Sequence, residues 1–359
     1  MDDTINIHDE EDQYYETTWV PPDWIGCRKE YRDIPPMVDT ALRNILQIPP
    51  SFLHNLPAKT ISIAELLLFE LPPIADPDIN PMDDDTKWFS DQTVSANAEE
   101  LIPFLAVPNQ DLMNHLLNQF GQAWFDGERT VHTWINPNIC FPFWILTYWA
   151  EVLAAAAAKD CWIHAISWLE GTGKTMEELE MKRTVKLLWR DIPWHGNLPG
   201  FASIPVVDLT SFLSQDYLTG NLVDAMLDLL SIRLTESMGP IADNTLVVNT
   251  TFADFIRLLL PTEDGQQTIL AHPGAQKYLR RYGSWFRSPD HTHLYFVLHR
   301  PPEHWTACSV DFKTKRIRYG DSLRWKRPQD FFSALESWTA YHLPDAKFVV
   351  TDDLLFRTG

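Results

Sequence analysis

The chain has 359 residues, of which 45% are hydrophobic, and this length allows two domains with packed cores. Its formal net charge of −20 argues against nucleic acid or an anionic membrane as the main partner, because both are bound by clustered Lys and Arg. The four cysteines, at positions 27, 140, 161 and 308, have no CxxC spacing. They predict reduced thiols in an intracellular protein and no zinc site.

The first 36 residues are acidic and then rich in proline. Six acidic residues lie between positions 2 and 12, where a secretory signal would carry a basic region and an apolar core. This composition predicts a partly disordered segment without a signal peptide.

Residues 37–200 have the pattern of a mainly α-helical region. Apolar residues recur at helical spacing in five stretches, which are 38–46, 61–71, 110–125, about 143–169, and 176–188. Ser62 and Glu65 have the spacing of a capping box at the start of the second helix. The fourth stretch contains the most apolar run of the chain, but that run includes Glu151 and is shorter than the about 20 residues of a membrane span. A buried helix is therefore predicted there.

Two stretches of this region resemble ligand-binding motifs without having their defining residues. Residues 171–175 end like a phosphate-binding loop, but Trp168 stands where the first glycine is required, and a predicted helix precedes them. A turn between two helices is the favoured interpretation. Residues 77–85 are rich in Pro and Asp, but they have neither the core pattern nor the closing Glu of a calcium loop. Neither a nucleotide nor a metal is predicted.

Residues 190–205 contain several prolines and glycines, and we place the domain boundary there. The second domain, 205–359, mixes helix and strand patterns. Helices are predicted within 208–235, over 251–260, over 266–282 with a break at Pro273, and over 328–343; strands are predicted over 246–249, 294–299, 305–312, 316–319 and 348–350. The fold class is therefore α+β.

The strands 305–312 and 316–319 predict a β-hairpin. A turn centred between Phe312 and Lys313 would place His304 directly opposite Asp321, with Cβ atoms about 4.5–5.5 Å apart. A carboxylate at that distance can orient an imidazole and stabilise its charged form. The residues alone leave two interpretations open, because such a pair is more often exposed or capping, and a one-residue slip would separate the two side chains.

His304-Trp305, a strand, a turn and the sequence Tyr-Gly-Asp-Ser-Leu at 319–323 resemble the ubiquitin-like-protein protease family, the cysteine peptidases that process and remove SUMO-type modifiers. The segment 216–227 is similar to the opening segment and helix of the same family. The resemblance covers roughly residues 205–359. It implies a papain-like cysteine peptidase fold, incomplete here and preceded by the helical region.

The resemblance also implies roles for four residues. His304 would be the general base, and Asp321 would orient it. Trp305 and Tyr217 would line a narrow tunnel for the Gly-Gly tail of a ubiquitin-like modifier, which would be the partner, free or conjugated; core packing is the alternative for both aromatic residues. No cofactor is implied. The family's Asp in the opening segment is Gly220 here, which weakens any preference for SUMO over other modifiers.

The nucleophile has no counterpart in this sequence. In the family a Gln and an Asp-x-x-x-Cys-Gly segment follow the strand predicted at 348–350, and the sequence ends at Gly359 before either is due. Cys308 lies on the strand of His304 and is expected in the core. We therefore expect a truncated or inactivated peptidase, and we expect the 359-residue chain not to hydrolyse an isopeptide bond. The alternatives are a pseudoenzyme that binds the tail without cleavage and a scaffold formed by the helical region. Family resemblance implies the nucleus or the cytoplasm.

Overall fold

The structure is a computed structural model that describes residues 36–75, 87–133, 138–172, 175–198, 200–201, 204–214, 217–238, 244–259, 273–288 and 290–352. The acidic segment before residue 36, the stretch 77–85 and the predicted helical residues 266–272 lie outside the described residues. The chain divides into two compact units, Met1–Gly196 and Asn197–Gly359. Each unit is described by itself.

The first unit is mainly helical. Its helices are α1 (Pro36–Ile45), α2 (Ile63–Leu68), α3 (Ala98–Leu101), α4 (Gln110–Phe125), α5 (Trp144–Gly171) and α6 (Met176–Asp191). Three short antiparallel strands, β1 (Phe89–Ser90), β2 (Thr130–Val131) and β3 (Phe141–Pro142), form a small sheet. The core combines the apolar faces of α4 and α5, and its largest buried side chains include Trp124, Tyr148 and Trp149.

Local sequence signals explain where several of these helices begin. The Ser62 hydroxyl accepts a hydrogen bond from the Glu65 N–H, and the Glu65 carboxylate accepts one from the Ser62 N–H, so the predicted capping box is confirmed. Thr175 and Glu178 form a second capping box at the start of α6. Because one helix ends at Gly171 and the next begins at Met176, this stretch lies between two helices, as predicted. None of the helices in the described ranges is long and apolar enough to cross a membrane.

The described part of the second unit contains a five-stranded mixed sheet, four α-helices and a short 3-10 helix, Val206–Leu213. Its helices are α7 (Gly220–Met238), α8 (Thr251–Arg257), α9 (Pro273–Trp285) and α10 (Gln329–His342); its strands are β4 (Thr245–Val247), β5 (His293–Arg300), β6 (His304–Asp311), β7 (Arg316–Gly320) and β8 (Val349–Thr351). The strand order follows the chain from β4 to β8. The edge pairs β4–β5 and β7–β8 are parallel, and the two central pairs are antiparallel. The predicted α+β class is confirmed.

Apolar side chains at alternate positions of the central strands show which face of the sheet is buried. Leu294, Phe296 and Leu298 of β5 join Cys308 and Val310 of β6 in one cluster. Apolar side chains of α8, α9 and α10 complete this cluster, among them Phe252, Leu279, Phe332, Leu335 and Trp338. Side chains at even positions of β6 therefore lie on the core face of the sheet, and His304 is one of them.

The turn between β6 and β7 is centred one residue later than the sequence predicted. Asp311 pairs with Arg316, so the centre lies between Lys313 and Thr314, and the predicted centre is wrong. The Asp311 carboxylate explains the difference, because it accepts hydrogen bonds from the N–H groups of Lys313 and Thr314 at 3.0 and 2.8 Å. Moving the centre by one residue changes every pairing by two residues. Side chains therefore stay on the same face of the sheet.

Helices α9 and α10 approach each other closely at Gly283, which is buried. A Cβ at this position would overlap the ring of His342. Along the same contact the indole N–H of Trp338 donates a hydrogen bond to the Leu279 carbonyl at 3.3 Å. Glycine is therefore required at position 283 to let the two helices pack at this distance.

Candidate functional site

His304 is the first residue of β6 and Asp321 directly follows β7, and their side chains meet. His304 Nε2 lies 2.8 Å from Asp321 Oδ1. The register shift means that the two residues are diagonal neighbours and not directly opposed, because Ala307 pairs with Gly320. The contact survives because both side chains lie on the same face of the hairpin. Asp321 is buried, with 4% of its surface exposed.

Three donors satisfy the buried Asp321 carboxylate. Besides His304, the Tyr319 hydroxyl donates to Oδ2 at 2.8 Å, and the Leu323 N–H donates to Oδ1 at 2.7 Å. Burial acts to raise the pKa of Asp321, but these hydrogen bonds outweigh it and hold the pKa below its usual value. The ionised carboxylate keeps the proton of the imidazole on Nε2. Nδ1 then carries the lone pair that can accept a proton from another group.

Tyr319 and Arg300 support this pair, and the sequence reasoning missed both. Arg300 Nη1 donates hydrogen bonds to the Tyr319 hydroxyl at 2.8 Å and to the Lys326 carbonyl at 3.0 Å. Burial and the hydrogen bond to Asp321 raise the pKa of Tyr319 to about 12, so its hydroxyl remains a donor at neutral pH. One signal was available, since Tyr319 precedes Asp321 by two residues and so faces the same side of β7.

Trp325 covers one side of the His304 ring. The two ring centroids are 4.9 Å apart, and the planes are inclined by 60°. The Arg300 guanidinium lies over the same indole, with Cζ 5.7 Å from the centroid. The imidazole is therefore held by a carboxylate at one nitrogen and packs against an aromatic ring in an inclined contact.

Replacing Tyr319 with phenylalanine should remove one hydrogen bond to Asp321 and leave the other two in place. The variant loses one of three donors to an ionised carboxylate, so we expect the unfolding free energy of the second unit to fall by about 1.5–3 kcal/mol. The pKa of Asp321 should rise, which would move acid unfolding to higher pH. Urea titrations at several pH values measure both effects. Tyr295→Phe is the matched control, because Tyr295 is an exposed residue of the same sheet, and an equal loss in both variants would contradict the role of Tyr319.

Trp305 faces the opposite side of β6 from His304. Its indole N–H donates a hydrogen bond to the Leu218 carbonyl at 2.8 Å, and its ring lies 4.7 Å from that of His299. A pocket of about 290 Å³ opens beside it. The pocket is lined by Leu218, Thr219, Gly220, Thr250, Asp254, His299 and Trp305. Trp305 is thus joined to the segment that precedes α7.

Gly220 and Asp224 shape the side of this pocket formed by α7. A Cβ at Gly220 would lie 3.8 Å from Trp305 Cη2 and 3.9 Å from the Thr250 hydroxyl oxygen, so even alanine would fill the space beside the indole. Asp224 accepts hydrogen bonds from the Thr250 N–H at 2.6 Å and from its hydroxyl at 3.0 Å. These bonds hold the start of α8 against α7. The residue at position 220 therefore leaves room where the family resemblance placed an acidic side chain.

The structure does not bring Tyr217 into the pocket. Tyr217 is 63% exposed, and the residues that line the pocket begin one position later, at Leu218. This exposure removes the core-packing alternative for Tyr217. Trp305, in contrast, is half-buried and forms part of the pocket wall.

Cys308 lies on the core face of β6, four residues after His304. It is buried, and burial raises the pKa of its thiol, which is the opposite of what a nucleophile needs. The prediction that Cys308 is a core residue is confirmed. Cys308 is also the only cysteine in the sequence of residues 197–359. Over the part of the chain that the structure describes, no three His, Cys, Asp or Glu side chains are grouped to hold a metal ion.

Comparisons with known proteins found several solved structures that are similar to part of the chain. Three solved structures with similarity to the chain are a SUMO protease Ulp1 whose catalytic cysteine is oxidised to a sulfinic acid (16% identity, TM-score 0.30, 44% of this chain and 65% of that one), the Ulp1 protease domain in complex with Smt3, the yeast ortholog of SUMO (15%, 0.30, 42% and 62%), and the effector XopD of Xanthomonas campestris bound to ubiquitin (21%, 0.26, 36% and 59%). The chain spans slightly less than two thirds of the length of these structures. No curated protein sequence matches it.

The family comparison covers the residues that form the site. Residues 216–349 match the model of the Ulp1 protease family, C-terminal catalytic domain. This range includes Trp305, His304 and Asp321, together with the strands that position them. It confirms the papain-like cysteine protease class that the sequence predicted for the second domain. Residues 216–349 of this chain are therefore similar to the C-terminal catalytic domain of the Ulp1 protease family.

Proposed function

We propose that the second unit binds the Gly-Gly tail of a ubiquitin-like modifier, free or conjugated, and carries the general base of a thiol peptidase. The observation that carries this proposal is the buried Asp321 carboxylate, held by three donors and joined to His304 Nε2 at 2.8 Å. A surface carboxylate would not need such a set of donors. The arrangement fixes the tautomer and the orientation of one imidazole, which is the requirement of a general base.

In this proposal His304 acts through Nδ1. Nδ1 accepts the proton of an attacking thiol, which forms the thiolate, and it later returns the proton to the leaving amine. Asp321 stabilises the imidazolium that exists between these steps. Tyr319 and Arg300 are positioning residues, since Tyr319 donates to Asp321 and Arg300 donates to Tyr319, and neither reaches the imidazole in the hydrogen bonds described above.

The tail would enter beside Trp305. The pocket is bounded by an indole on one side and by Gly220 and Thr250 on the other. A glycine residue lacks the Cβ that would take up space beside the indole, so this pocket favours a Gly-Gly tail over a tail with larger residues. Tyr217, which is exposed next to the pocket, is available to contact the modifier without being part of the core.

The proposal includes binding without cleavage by the 359-residue chain. A thiol peptidase needs a thiolate close to its base, and the only cysteine within residues 197–359 is the buried Cys308. Residues 197–359 therefore supply a base, its orienting carboxylate and a tail pocket, but no nucleophile.

The proposal is tested by measuring binding and turnover on the same protein. We expect the 359-residue chain to bind a ubiquitin-like modifier that ends in Gly-Gly and to release no fluorophore from the C-terminal amide of that modifier. The same modifier without its last two glycines serves as the control for binding. If the unsubstituted chain cleaves the amide and His304→Ala does not, the chain contains a nucleophile and this part of the proposal is overturned. Equal affinity for both forms of the modifier would overturn recognition of the tail.

A further inference from the structure

The exposed face of α9 concentrates positive charge in a chain whose net charge is −20. Lys277, Arg280 and Arg281 stand three and four residues apart on this helix, and Arg287 follows its last turn. All four residues are exposed. Within the ranges that the structure describes, none of them forms an ion pair with a carboxylate.

This arrangement is unfavourable for the isolated fold. Like charges three and four residues apart on a helix repel each other, and salt or a bound anion relieves this repulsion. Arginine in particular offers a planar set of N–H donors that matches the oxygens of a phosphate group. The composition of this face therefore favours an anionic ligand over simple solvation.

The basic residues line a shallow, open pocket. A pocket of about 360 Å³ is lined by Lys277, Arg280, Arg281, Ser284, Arg287, Tyr341 and His342. Its walls come from α9 and from the last turn of α10. This volume is in the range of small-molecule sites, about 300–1,000 Å³, whereas a macromolecular partner needs a surface of about 800 Å² on each side.

His342 gives a second and independent indication of a ligand. It is 6% exposed, and its Nδ1 is buried without a hydrogen-bond partner among the described residues. Buried polar atoms of this kind are nearly always satisfied by protein, water or a ligand. Gly283 packs against the face of the His342 ring, and His342 also lines the pocket.

The charges of the pocket act directly on this imidazole. Burial lowers the pKa of His342, and the guanidinium groups of Arg287 and Arg280 lower it further. Both arginines are therefore close enough to His342 to influence it electrostatically, which places three potential donors around one volume.

We propose that this pocket binds a small phosphate-rich anion, with Arg280 and Arg287 as the main ligands and His342 Nδ1 as a further hydrogen-bonding group. The site uses side chains other than those of the tail pocket and the His304–Asp321 pair. The proposal therefore does not depend on the proposed function, and either can fail alone.

Calorimetric titration of the full 359-residue chain with sodium tripolyphosphate, at constant ionic strength, tests the proposal. We expect saturable binding whose affinity falls as the salt concentration rises. Arg280→Gln combined with Arg287→Gln should lower the affinity at least about tenfold, since each charge-assisted hydrogen bond contributes that much or more. Arg316→Gln is the matched control, because Arg316 is an exposed arginine of β7 that does not line the pocket. Its affinity should stay within about twofold of the unsubstituted chain, as for a distant surface charge.

Two further measurements separate the proposal from nonspecific attraction. The imidazole nitrogen signals of His342 should shift on addition of tripolyphosphate, and those of His304 should not. A glutamate-rich peptide of the same charge should bind more weakly than tripolyphosphate. The proposal is overturned by a lack of saturable binding, by equal losses in the double variant and in Arg316→Gln, or by tighter binding of the peptide.

Discussion

Replacing Asp321 with alanine is expected to lower the unfolding free energy of the second unit by about 1–3 kcal/mol for each buried donor that loses its acceptor. The Tyr319 hydroxyl, the Leu323 N–H and His304 Nε2 would all lose their acceptor at once. Urea unfolding of the full chain measures the change, with hydrogen exchange of β6 and β7 assigning the transition to the second unit.

Asp352→Ala is the matched control for this prediction. Asp352 also accepts a hydrogen bond from a cationic partner, Arg327, at 3.1 Å, but its side chain is 66% exposed. An exposed ion pair contributes about 0–1 kcal/mol, so this variant should be nearly as stable as the unsubstituted chain. A loss of similar size in both variants would show that Asp321 is an ordinary surface carboxylate.

The same carboxylate predicts a dependence of stability on pH. Hydrogen bonds in the folded chain hold the pKa of Asp321 below its usual value, so the folded state binds this proton less readily than the unfolded state does. Its stabilising contribution is therefore complete well above pH 3.8 and disappears as the pH falls through the lower folded value. Asp321→Asn should flatten the stability curve in that acidic range. A curve as steep as that of the unsubstituted chain would contradict this assignment.

Replacing Trp305 with alanine is expected to weaken binding of a Gly-Gly tail by about 2 kcal/mol or more, which is the size of a buried aromatic hot spot. This corresponds to a loss of about thirtyfold in affinity. The indole forms a wall of the pocket and is held in place by its hydrogen bond to the Leu218 carbonyl. Trp305→Phe keeps an aromatic wall and loses that hydrogen bond, so its affinity should lie between those of the unsubstituted chain and Trp305→Ala. Titration with the modifier gives the dissociation constants.

Two other aromatic residues provide the comparison. Tyr295→Ala removes an exposed ring from β5 that does not line the pocket, and its affinity should be unchanged. Tyr217→Ala removes a ring that is 63% exposed, so the fold should remain as stable, and any loss of affinity would report direct contact with the modifier. Unchanged binding by Trp305→Ala would end the assignment of this pocket to the tail.

Long periodic elements of this chain could be predicted from the sequence. Helix α4 has the predicted bounds, and α5 differs by a residue or two at each end, because their apolar residues recur over many turns. The sheet of the first unit could not be predicted in this way. Its strands have two residues each, which is too short for any alternation to appear.

The candidate site was predictable only in part. His304 and Asp321 could be paired because a hairpin relates two positions by simple counting, and an error of one residue in the turn centre left them on the same face. Arg300 reaches Tyr319 from the neighbouring strand, and that contact depends on the alignment of β5 with β6. The basic pocket combines α9 with the end of α10, and no sequence spacing relates those two helices.

The close contact between Gly283 and His342 means that these two positions share one small volume. A related sequence with a larger residue at position 283 must carry a smaller one at 342, or the two helices must move apart. Such a sequence would lose the imidazole nitrogen of the basic pocket at the same time. Covariation of these positions among homologues would therefore separate proteins that can hold the anion from those that cannot.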